Sequence, residues 1–136
     1  MLGAIIGDII GSTYEFNNTR DYNFELFPEG SSYTDDTICT IAIADAILKG
    51  IPYKDSLLHW CRRYRNPMGA YGNWAAITTY LATHHDTDYS RQMVLMLADA
   101  AYPIPTELRE KALTYLPEEM KEVINQFETQ YCKSKA

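Results

Sequence analysis

The chain has few cysteines and no paired spacing among them. Cys39, Cys61 and Cys132 are odd in number and form no CxxC, which argues against both a disulfide framework and a thiolate zinc site. A reducing compartment is the matching expectation. Positive charge is also scarce: 12 Lys and Arg face 18 Asp and Glu, for a net charge of −6. That balance lacks the basic face needed to displace counterions from nucleic acid, so no nucleic-acid partner is expected. An anionic ligand would need local help, such as a metal. No apolar run is long enough to span a bilayer. MLGAIIGDIIG is interrupted by Asp8 and has no basic flank, so no membrane partner is expected and the chain reads as cytoplasmic. Alternation of apolar and polar residues is nearly absent too, leaving only a weak strand hint in YNFELF. No repeat, low-complexity tract or linker divides the chain.

What is present is an ordinary globular balance, 46% apolar and 22% charged over 136 residues, enough to bury a core in a single domain, 1–136. The dominant period is helical. Ile38 to Leu48 is apolar except at Thr40 and Asp45, which predicts a central helix buried nearly all round. Leu57, Trp60, Cys61 and Tyr64 repeat at i, i+3, i+4, i+7, as do Met93, Met96, Leu97 and Ala100. A short helix is expected over Thr106 to Leu113, with Glu107 and Lys111 paired at i, i+4. The last helix has Pro117 at its first position and Glu118 and Glu119 beside the dipole, with Met120, Val123, Ile124, Phe127 and Tyr131 on one face. The fold class is therefore all-α.

Three clusters bear on chemistry. SYTDDT, residues 32–37, sets Asp35 beside Asp36 at the mouth of the central helix. A cap interacting with the helix dipole accounts for one carboxylate. The second is harder to place, since two carboxylates about 4 Å apart repel by about 4 kcal/mol at a surface-like dielectric unless a cation or proton offsets them. Asp8, Ser12 and Glu15 follow i, i+4, i+7 spacing and share a face if GAIIGDIIGSTYE is helical; the plain alternative is a solvated stripe. Gly3, Gly7 and Gly11 on the same segment suggest close packing. HHDTD, residues 84–88, repeats the pairing with Asp86 and Asp88 at a second helix start. Two carboxylate pairs brought together call for a hard divalent cation, Mg²⁺, Ca²⁺ or Mn²⁺ rather than zinc. His84 and His85 read as solvated turn residues that could add ligands.

These segments together resemble the ADP-ribosylglycohydrolase family, which includes the dinitrogenase reductase-activating glycohydrolases. GAIIGDIIGSTYEF is similar to the family's opening helix with its Glu, YTDDT to its first metal motif, and HHDTDYSRQMVLMLADAAYPIPTELREKALTYLPEE to its closing segment, which usually begins GGDxDT. The resemblance implies a compact orthogonal helical bundle with a binuclear Mg²⁺ centre, Mn²⁺ being an alternative, that binds ADP-ribose and hydrolyses a glycosidic bond to it. It assigns Thr34, Asp35 and Asp36 to one set of metal ligands and Asp86 and Asp88 to the other. Glu15, or the metal-ligating Asp36, takes the catalytic role. Tyr71, Gly72, Asn73 and Trp74 stand nearest the family's diphosphate loop, which reads like GNGSAMR, and Tyr71 and Trp74 are candidates to stack on adenine. The departures are specific: the loop keeps Gly-Asn and loses its Ser and Arg, Gly-Gly becomes His84-His85, and the closing Thr becomes Tyr89. Typical members are longer, so the chain reads as a shortened one without the middle of the domain. An alternative function is a non-catalytic protein that sequesters an ADP-ribose-like nucleotide, and a homo-oligomer is compatible with either.

Overall fold

The computed structural model describes residues 1–14, 21, 23–64 and 104–132. Their regular structure consists of five α-helices, numbered here in chain order: α1 (Leu2–Gly11), α2 (Asp35–Lys49), α3 (Tyr53–Arg63), α4 (Thr106–Leu113) and α5 (Glu118–Tyr131). No strand occurs among the described residues, and Asn23 to Phe27 of the YNFELF segment form turn and bend. That segment is held locally, with Tyr14 stacked edge-on against Phe24 and its phenol donating to the Glu25 carbonyl at 2.9 Å.

The ends of the helices follow from their residues. Thr34 caps α2, its hydroxyl accepting from the Asp36 N–H, and Gly50 stops the helix in the left-handed conformation at φ 63°. Only glycine adopts that conformation without a Cβ penalty. Prolines 52, 105 and 117 precede α3, α4 and α5, and their carbonyls take the first N–H groups of each helix. Pro117 is therefore the N-cap residue of α5, one position earlier than its expected place inside the helix.

Helix α2 packs against α1, α3 and α5, while α1 also packs on α4. One apolar cluster joins them: Ile5 and Ile9 from α1, Ile38 and Ile41 from α2, Trp60 from α3, and Met120 and Ile124 from α5 all lie inside it. Each such large side chain contributes about 1.5–3 kcal/mol of burial. The central helix departs from expectation in detail. Ile43 and Ile47 are more than a third exposed, whereas Asp45, one of the two interruptions in the apolar run, is only 3% exposed. Asp45 is tolerated inside because Trp60 donates its indole N–H to the carboxylate at 2.9 Å and Lys49 pairs with it at 2.8 Å. A second polar tie, Ser56 Oγ to the Ala42 carbonyl at 2.7 Å, joins α3 to α2 one turn earlier. Lys111 lies over the ring of Tyr115 and does not pair with Glu107; the i, i+4 salt bridge expected in α4 is absent among the described residues. Tyr131, expected on the core face of α5, is half exposed. The helix expected around Met93 to Ala100 lies outside the described residues.

Candidate functional site

The site builds outward from the contact between α1 and the start of α2. Asp8 is the one acid in an otherwise apolar and small-residue helix, and it points at the TDDT turn. Its Oδ2 accepts the Thr34 N–H at 2.8 Å, the Thr37 N–H at 3.2 Å and the Thr37 hydroxyl at 2.5 Å. Its Oδ1 accepts the hydroxyl of Thr34. Burial pushes the Asp8 carboxyl above the usual carboxylate range, while these hydrogen bonds pull it back towards the ionised form. One turn on, Ser12 Oγ donates to the Ile9 carbonyl at 2.8 Å and accepts the Ser32 N–H at 3.1 Å. The polar face of α1 is thus not a solvated stripe, because Asp8 and Ser12 tie the 32–37 segment down by its backbone. At Gly11 the expected close packing is missing, since an added Cβ would meet no atom within 4 Å.

This anchoring fixes where the paired carboxylates stand. Thr34 is buried, Asp35 is half-buried and Asp36 is exposed, with both acids in the first turn of α2. Burial, then the nearby charge of Asp8, push the Asp35 carboxyl up, partly opposed by hydrogen bonds from its own backbone N–H and from Thr34. Among the described residues no Lys or Arg pairs with Asp35. Two acids share the helix mouth beside the Thr34 hydroxyl, which contacts both Asp8 and Asp35, and oxygens grouped in this way are of the kind hard cations take. Thr34, Asp35 and Asp36 offer oxygen donors of the type a divalent cation takes. They are not sufficient alone: among the described residues no group of three His, Cys, Asp or Glu side chains could hold a metal ion. Glu15, Tyr71, Gly72, Asn73, Trp74, His84, His85, Asp86, Asp88 and Tyr89 lie outside the described residues.

Behind the turn stands an aromatic wall. Tyr33 meets Tyr64 edge-on, Tyr64 stacks on Trp60 at 6.0 Å, and the Tyr64 phenol donates to Glu119, which also takes Arg63 at 3.0 Å. The Tyr64 hydrogen bond holds the Glu119 carboxyl below its ordinary range, with burial opposing it and Arg63 and His59 adding to it. Cys39 and Cys61 hydrogen-bond to each other. Hydrogen bonding to Cys61 and then burial push the Cys39 thiol up and keep it protonated, and all three cysteines are free.

A family model described as ADP-ribosylglycohydrolase matches residues 1–112. The chain belongs to the ADP-ribosylglycohydrolase family. No curated protein and no solved structure matches it significantly. The match takes in α1 with Asp8, the TDDT turn, α2, α3 and most of α4, and the all-helical architecture of the described residues agrees with the all-α fold of this family of hydrolases. Two residues that hold the turn were not among those expected to form the site. Asp8 carried a signal, an acid isolated in a glycine-rich apolar helix. Thr37 carried less, because a second Thr in TDDT reads equally well as a spare cap.

Proposed function

We propose that the chain is a Mg²⁺-dependent hydrolase of the ADP-ribosylglycohydrolase type, which binds ADP-ribose and cleaves its glycosidic link to a protein or small-molecule group. The observation that carries this is the anchored TDDT turn in a chain of this family: an acidic pair held in place by Asp8, with an oxygen-only donor set. In this proposal Thr34, Asp35 and Asp36 hold metal from one side and Asp86 and Asp88 from the other, in a two-ion centre that Mn²⁺ also fills. The metal, when bound, supplies charge that orients the ribose diol and polarises a water. Glu15 or Asp36 takes the proton of that water, while Tyr71, Gly72, Asn73 and Trp74 form the near wall for the nucleotide. The chain is proposed to act in the cytoplasm, as a shortened family member near the dinitrogenase reductase-activating type, with neither nucleic acid nor membrane as partner. No helix among the described residues is long and apolar enough to cross a membrane.

A second function has its own support in the sequence. Tyr89 stands where the family pattern has Thr, and the 71–78 loop lacks the Ser and Arg of the diphosphate cradle, so ligand capture without turnover is the alternative. One lost positioning contact costs about 10²-fold in rate. Incubation with ADP-ribose and with ADP-ribosylated Arg and Ser peptides, following calorimetric binding and product together, separates the two. Hydrolysis is expected to be slow and to fall to background in Glu15→Gln with binding retained. Tight binding without product from any substrate would favour the sequestering protein, and absence of both would remove either function.

A further inference from the structure

Folding brings two of the three cysteines together. Cys39 on α2 and Cys61 on α3 are 22 positions apart in the chain, and the packing of these helices sets their thiols in hydrogen-bond contact. Cys61 is buried in the apolar cluster, while Cys39 packs against that cluster and is only partly buried, so the pair reaches the surface at Cys39. Within the pair the proton is shared unevenly: the Cys39 hydrogen bond pulls the Cys61 thiol down against burial and the charge of Asp35, and the same contact pushes Cys39 up. A thiolate is the form that oxidants and disulfides meet as a nucleophile. A reducing compartment argues against a permanent bridge between such thiols, and it leaves room for a transient one, the usual kind inside cells.

We propose that Cys39 and Cys61 form a reversible disulfide under hydroperoxide, a modification site that ties α2 to α3 one helical turn behind the acidic pair. In the first step the Cys61 thiolate attacks the peroxide O–O bond, becomes a sulfenic acid and releases hydroxide. In the second, the Cys39 sulfur displaces the hydroxyl from Cys61, the S–S bond forms, and the Cys39 proton leaves with that hydroxyl as water. Two thiols and one hydrogen peroxide thus give one disulfide and two waters. Exchange with a small thiol returns both cysteines to the reduced form. Two cysteines that merely fill the α2–α3 contact would instead stay reduced, or oxidise singly without joining.

The test uses the full chain carrying Cys132→Ser, so that the exposed third thiol cannot pair between molecules. The folded protein is treated with hydrogen peroxide, blocked with N-ethylmaleimide in urea and mapped by mass spectrometry. The expected product is a monomer lighter by two hydrogen atoms, cross-linked between Cys39 and Cys61, with both thiols recovered by dithiothreitol. Because the bond closes a loop in the unfolded chain, the oxidised form is expected to melt about 5–10 °C higher than the reduced form. Cys39→Ala in the same background is expected to abolish the cross-link and leave Cys61 at sulfenic or sulfinic acid; should that variant fail to fold, the map of the Cys132→Ser chain decides. The proposal is overturned if both thiols stay reduced at a peroxide level that oxidises Cys132 in the wild type, or if Cys61 passes to sulfinic acid without a cross-link. A cross-link that forms only when peroxide is added in urea, or one that lowers the melting temperature, would also overturn it.

Discussion

At the scale of single residues, acids inside this chain are placed by the donors that surround them. Asp45 is buried against Trp60 and Lys49, so Asp45→Ala leaves an indole N–H and an ammonium without their acceptor. It is expected to cost about 2–4 kcal/mol in urea unfolding. Asp45→Asn keeps an acceptor for Trp60 and is expected to cost roughly half as much or less. Glu119 supplies a pH dependence. Its folded pKa is held down by Tyr64 and Arg63, so the stability it adds is present above the unfolded carboxylate range and is lost as pH falls through the folded value. The carboxylate is 38% exposed, which makes the effect small. Melting curves of wild type and Glu119→Gln are expected to converge as pH drops below about 4 and to separate above it, with wild type the more stable. The pairing of acids in TDDT is visible in the sequence, and so is their place in the first turn of α2. Asp45 was visible only as an interruption, since nothing in the order of residues says that Trp60 will arrive 15 positions later to receive it.

At the scale of elements, five of the expected helices are in place: four came from period and punctuation, while the first was only conditional. The i, i+3, i+4, i+7 rows of α3 and the proline starts of α4 and α5 are local signals, and local signals survive folding. What was missed depends on neighbours. Ile43 and Ile47 face outward and Tyr131 is half exposed because the packing partners of α2 and α5 cover other faces. The polar row on α1 is stitched to residues 32–37 and not to water, which no single-helix pattern states. The C-terminus of α2 gives a direct test. Gly50 closes it at φ 63°, with its N–H on the Ala46 carbonyl and Ile51 N following on the same oxygen at 3.2 Å. An added Cβ meets no atom within 4 Å, so Gly50→Ala pays for backbone conformation alone, about 1 kcal/mol, measurable as a lower urea midpoint with unchanged slope.

At the scale of the whole molecule, one apolar cluster drawn from all five described helices lies behind an acidic turn. In that arrangement the core helix opens on two negative charges beside a turn that Asp8 ties down through Thr34 and Thr37. The fold class and the family could be read from the two ends of the sequence, and Thr34, Asp35 and Asp36 stand together at the mouth of α2 as the motif implied. Convergence with Asp86 and Asp88 is the central claim, and it concerns residues about 50 positions apart in the chain. Mn²⁺ titration of the full chain, compared among wild type, Asp36→Asn and Asp86→Asn, tests it most directly. Saturable binding by wild type that is weakened about tenfold or more by either substitution, with both variants still folded, is the result this account predicts. Binding that survives Asp86→Asn unchanged, or no binding by wild type at all, would contradict it.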